Sequence, residues 1–103
     1  MLSRVADSLY WMSRYVERAE NVARIIDVNL NLMLDNPFVG DEQWRPLIDT
    51  LGDSETFARR AQLADSSNTI HFLSFDPDNS NSILSCLGGA RENARSIREI
   101  GAW

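Results

Sequence analysis

From Leu2 to Leu34 the chain contains neither glycine nor proline, and Val5, Leu9, Met12, Val16, Ala19, Ala23, Ile26, Leu30 and Met33 recur at alternating spacings of four and three. That spacing is the helical period, so these residues form one apolar stripe along a single long helix. Ser3 is expected as its N-cap and Asp35-Asn36-Pro37 as its stop. At 1.5 Å per residue the helix is roughly 48 Å long, whereas a compact globule of this size is only about 34 Å across. The helix therefore overhangs any domain that 103 residues can build, so either another chain covers the excess, a second copy pairing through this first helix being the simplest, or the sequence is the front piece of a longer bundle.

Behind it the pattern shortens. Asp41 or Glu42 opens a short helix through Trp44, Leu47, Ile48 and Leu51, and Gly52 ends it. Ser54 opens a second with Phe57, Ala58 and Ala61 inward, and Asp65 to Ser74 forms a third with Ile70, Phe72 and Leu73 inward. The run Asp76-Pro77-Asp78-Asn79-Ser80-Asn81-Ser82 is turn and cap chemistry, placing a cap near Ser80 or Asn81. A last helix from about Ser82 to Ile100 carries Ile83, Leu87, Ala90, Ala94 and Ile97 as its stripe. No alternating β-branched run is long enough for a strand, so the expected fold is an all-α bundle of two long and three short helices in one domain, 1–103. Gly88-Gly89 inside the last helix costs about 1 kcal/mol per residue relative to Ala, and close approach of another helix is the expected reason.

Charge excludes several functions. The net charge of −5 divides into 0 over residues 1–34, −6 over 35–80 and +1 over 81–103. An acidic chain without a basic stripe does not suit nucleic acid. No window is apolar enough for a membrane span or a secretory leader, and Cys86 is alone, so the cytoplasm is the default address. All ten basic residues are Arg, whose planar fork pairs bidentately with carboxylates. Composition bias explains that choice equally well.

The candidate site residues are Arg14, Glu17, Arg18, Glu20, Asn21 and Arg24 on the first helix and Arg91, Glu92, Asn93 and Arg95 on the last. Two readings compete. A closed ion network between the helices makes them structural, while guanidinium groups converging on a cleft make them an anion site. Glu17-x-x-Glu20 lacks the histidine of a helical di-metal site, so no metal and no cofactor is expected. His71 reads as an ordinary helix residue and Cys86 as a buried inert thiol.

The stretch Met1 to Asn21 with its Glu17-Arg18 pair, Trp44-Arg45-Pro46-Leu47, the loop Asp76 to Ile83, and Ala90-Arg91-Glu92-Asn93-Ala94-Arg95 resemble, in that order, the Alpha-E family, a bacterial all-helical family named for a Glu-Arg motif. Family members are usually longer, so the resemblance implies the N-terminal portion of a larger architecture. It also implies association with ATP-grasp-type ligases and transglutaminase-like proteins in a system that forms or modifies peptide or amide bonds. The domain is then a helical interaction or scaffold module, with a catalytic or substrate-binding subunit for an anionic or peptide substrate as the alternative.

Overall fold

The computed structural model describes residues 2–36, 41–51, 54–59 and 65–100. Helix α1 is Leu2–Asp35, a 3-10 turn at Asp41–Trp44 leads into α2, Arg45–Leu51, and α3 is Ser54–Arg59. Helix α4 is Ser66–Phe75 and α5 is Ile83–Ile100, so the described chain is all helix and connecting turn, with no strand. The expected bundle of two long and three short helices is therefore present. Ser3 lies inside the first turn of α1 rather than capping it. Ala61, the turn 37–40 and Gly52 lie outside the described residues.

Helix α5 runs antiparallel to the N-terminal half of α1. Gly89 stands against the Tyr15 ring and, three residues earlier, Cys86 stands against Arg18, so the two chains count in opposite directions. The C-terminal half of α1 instead receives the short helices. Val22, Ile26, Ile48, Phe57, Phe72 and Leu73 form the core there, with Leu47, Leu51, Ile70 and Ile83 packed around them. Phe57 and Phe72 meet edge to face at 5.1 Å between centroids, a favoured aromatic geometry. Trp44 is fully buried and donates its indole N–H to the Met33 sulfur at 3.2 Å, tying the 3-10 turn to the far end of α1.

The stripe read from the sequence is rotated by one row. Leu9, Val16 and Leu30 keep 38–45% of their surface and Ala23 is also exposed, while Ser8, Ala19, Val22 and Ile26 are buried and Tyr15 is half-buried. A heptad-spaced stripe has two flanks, and periodicity does not say which flank the partner helix covers. Here small residues decide: Ser8, Ala19, Gly89 and Ala90 let α5 approach on the Ser8/Tyr15 side. Leu2, Leu9, Val16, Ala23 and Leu30, each seven residues from the next, are left facing out. On α5 the same rotation buries Cys86 and Ala90 and leaves Leu87 and Ala94 exposed.

The connection into α5 is built from polar side chains turned inward. Asn79 is fully buried; its amide donates to the Phe72 carbonyl at 3.1 Å and its side-chain oxygen accepts from the Asn81 N–H at 3.1 Å. Ser82 is the N-cap: its hydroxyl accepts from the Ser85 N–H at 3.1 Å and its carbonyl receives the Cys86 N–H. The cap lies one or two residues beyond Ser80 or Asn81, because Asn79 holds the preceding turn closed. Asp65 caps α4 in the same way, accepting from the Asn68 N–H.

The whole measures 57 × 30 × 16 Å with a radius of gyration of 16.6 Å. A compact chain of this length has a radius near 13 Å, so α1 does extend the molecule well beyond a globule. The glycine pair separates cleanly: a Cβ at Gly89 meets the Tyr15 ring at 2.9 Å, and one at Gly88 meets nothing within 4 Å. Close approach explains Gly89 and not Gly88. We expect Gly89→Ala to cost about 1–3 kcal/mol by overpacking and Gly88→Ala to stabilise by up to about 1 kcal/mol through helix propensity. Opposite shifts in melting temperature for the two variants are the check. Asn79→Ala strands the Phe72 carbonyl and the Asn81 amide, and urea titration should show a loss of about 2 kcal/mol or more.

Candidate functional site

Consecutive helical residues are turned about 100° from one another, so Glu17 and Arg18 cannot share an environment. Glu17 faces solvent and pairs with Arg14 one turn back, at 3.2 Å. Glu20 and Arg24 are exposed on the same outer side. On α5, Arg95 pairs with Glu92 at 3.7 Å, Arg91 is exposed, and the Asn93 amide donates to the Gly89 carbonyl within its own helix at 2.8 Å. Arg91, Ala94, Arg95 and Arg98 line an open surface cleft of about 400 Å3.

The expected ion network between α1 and α5 does not form among the described residues. Each ion pair there, Arg14–Glu17, Arg45–Asp49 and Arg95–Glu92, joins residues three or four apart on one exposed helix surface. Such pairs contribute a few tenths of a kcal/mol after solvent screening. The physical reason is the close α1–α5 contact: its seam is filled by Ser8, Ala19, Cys86 and Ala90, and leaves no room for opposed long charged side chains.

Arg18 is the exception. It is half-buried, its guanidinium lies over the Tyr15 ring at 5.7 Å from the centroid, and it reaches the Cys86 thiol in the seam. Burial pushes the Cys86 thiol up, and the Arg18 charge and its hydrogen bond to the sulfur only partly oppose that. Cys86 is fully buried, so it is held as a neutral thiol, away from reagents. The stack on Tyr15 steadies the guanidinium, and Arg18 also lines a cleft of about 210 Å3 together with Asn21, Val22, Thr50, Leu51 and Asn81. Among the described residues no carboxylate pairs with Arg18.

Of the ten residues singled out in the sequence, the fold brings Arg18 and Asn21 to this cleft and leaves the other eight elsewhere. Thr50 and Asn81 were missed. Asn81 sits in a run that reads as turn and cap chemistry, and nothing in the periodicity of α2 marks Thr50. His71 is exposed on α4 with its ring 5.9 Å from Phe75. No group of three or more His, Cys, Asp or Glu with metal-binding geometry occurs among the described residues, and no described helix is long and apolar enough to cross a membrane.

A family model described as Alpha-E, a predicted alpha-helical domain with a conserved ER motif, matches residues 1–101. An uncharacterised protein of Mycobacterium bovis is 28% identical over 110 residues, covering 93% of this chain and 12% of that protein. Uncharacterised proteins of two Mycobacterium tuberculosis strains are 28% and 27% identical over the same extent. The chain thus spans 12% of the length of the curated relatives it matches. No solved structure matches it. The match runs through both long helices and all three short ones, and it includes Glu17-Arg18, the only Glu-Arg dipeptide in the sequence: the chain belongs to the Alpha-E family.

Proposed function

We propose that this domain is a helical interaction module, docking through the outer face of its first helix onto a second copy of itself. One observation carries the reading: Leu2, Leu9, Val16, Ala23 and Leu30 repeat every seven residues and all remain exposed. A sustained heptad row is what a further helix packs against. Helix α5 widens the row. Leu9 and Val16 lie about 90° round α1 from its contact with α5, and Leu87 and Ala94 about 90° round α5 in the same rotational sense. Because the helices are antiparallel, the two rows fall on the same side of the pair. Exposed Leu84 and Leu87 extend the apolar surface on that side, and Gly88 leaves room beside them.

Charges flank the rows with opposite sign. Glu20 and Asp27 border the α1 row, while Arg91 and Arg98 border the α5 row. A two-fold partner laying its α1 over this α5 brings acids to arginines on both sides, completing a four-helix arrangement. The family association implies the setting: a cytoplasmic system that forms or modifies peptide or amide bonds, with ATP-grasp-type ligase and transglutaminase-like proteins as partners. A second reading, a subunit that binds an anionic or peptide substrate through Glu-Arg residues, is favoured by one specific feature, Arg18 lining a cleft with no carboxylate partner among the described residues.

Light scattering coupled to size exclusion tests the docking face. The chain should run at twice its mass, and Val16→Glu with Leu9→Glu should run at the mass of one chain with unchanged helical circular dichroism. A wild-type mass of one chain at every concentration would overturn self-association. Co-purification of the full-length protein with its genomic neighbours tests the proposed setting.

A further inference from the structure

We infer that Arg18, with Asn21, Thr50 and Asn81, forms a binding site for the carboxylate of an amino acid or peptide end. The inference rests on the second functional reading above and narrows it from ten candidate residues to one cleft and one ligand class.

The argument starts from an unmatched charge. Arg18 is half-buried, held over Tyr15 and against Cys86, and among the described residues it has no carboxylate partner. A partly buried guanidinium that keeps its charge is normally paired, since desolvation without a counter-charge is costly. The carbonyl end of α2 at Thr50 and Leu51 supplies only a fraction of an elementary charge, less in a helix of seven residues than the about 0.5 of a long one. The space in front of Arg18 is therefore an anion position.

The rest of the lining selects the anion. Asn21 and Asn81 each offer a side-chain amide, and Thr50 a hydroxyl, so among the described residues of the lining Arg18 is the one formal charge. One guanidinium balances one carboxylate, and its planar fork matches the two oxygens. A phosphate monoester carries about −1.5 to −2 charges and would leave an excess of negative charge over the single guanidinium, in a chain of net charge −5. The two asparagine amides, each both donor and acceptor, suit a peptide group next to the carboxylate. At about 210 Å3 the cleft is smaller than the roughly 300–1,000 Å3 pockets that enclose whole ligands, which fits a terminal residue and not an extended substrate. The residues also come from ordered places: Arg18 and Asn21 share one face of α1, Thr50 lies in the last turn of α2, and Asn81 has its backbone pinned by buried Asn79.

Titration of N-acetylglycine into the 15N-labelled chain tests the site, with inorganic phosphate as the second arm. Saturable millimolar binding that shifts the side-chain amide signals of Asn21 and Asn81 is expected, with phosphate weaker. Arg18→Gln should weaken N-acetylglycine about tenfold or more, Arg18→Lys should retain part of the affinity because it keeps charge and loses the fork, and Arg95→Gln should change nothing. Should Arg18→Gln fail to fold by circular dichroism, the Lys variant carries the comparison, and undiminished binding by it would count against the fork. Binding lost in Arg95→Gln and kept in Arg18→Gln would overturn this site while leaving anion recognition standing on α5. Tighter binding of phosphate than of N-acetylglycine would overturn the ligand class, and no saturable binding of either would overturn both the site and the substrate-binding reading beneath it.

Discussion

The contact of Gly89 with the Tyr15 ring sets most of what is specific about this fold. At 2.9 Å from where a Cβ would stand, the ring occupies the place of a side chain, so α5 sits closer to α1 than a larger residue there would allow. That approach fixes the rotation of both helices. It turns Ser8, Ala19, Cys86 and Ala90 into the seam and turns Leu9, Val16, Leu87 and Ala94 out. It also orients Tyr15, which then holds the Arg18 guanidinium over its face. One missing methyl group thus bears on both the close helix seam and the ring on which Arg18 stacks.

The molecule is uneven along its length. Around the C-terminal half of α1, three short helices, the 3-10 turn and the start of α5 enclose a core of Val22, Ile26, Ile48, Phe57, Phe72 and Leu73. Around the N-terminal half there are two helices side by side, and no described element covers either of their outer sides. Two helices bury less apolar surface per residue than a bundle, so local opening is cheapest there and resistance to hydrogen exchange should concentrate beyond Val22. The Arg18 cleft lies at the border. Its walls come from the well-packed half, through α2 and the Asn79 turn, while Arg18 itself is steadied by α5.

Much of this was legible in the residues. A run of more than thirty without Gly or Pro announces α1, the cap and turn formers place the breaks, and Phe57, Phe72, Leu73 and Ile48 are core by their helical spacing. Rotation was not legible, because the stripe from Val5 to Met33 has two flanks and the choice between them depends on which small residues the partner brings. Nor was the fate of the charges. Arg91, Glu92 and Arg95 echo the composition of the α1 motif, yet the close seam excludes them and they pair along their own helix or face solvent. Thr50 reaches the cleft only through the turn structure between α1 and α2, a tertiary fact with no local signature.

The Glu-Arg pair is best understood as two residues with separate tasks that happen to be neighbours. The 100° rotation between them sends Glu17 to the solvent side, where pairing with Arg14 adds little stability, and Arg18 to the border of the core, where it is half-buried over Tyr15. A residue retained only for solubility has no need of the second position, and one retained only for packing would be better replaced there by an apolar side chain of similar volume. What an apolar replacement cannot do is place a guanidinium, with no carboxylate partner among the described residues, in the lining of the cleft. On the proposed anion-binding reading that position is what Arg18 is for, and the Gly89–Tyr15 contact steadies the ring on which it stacks.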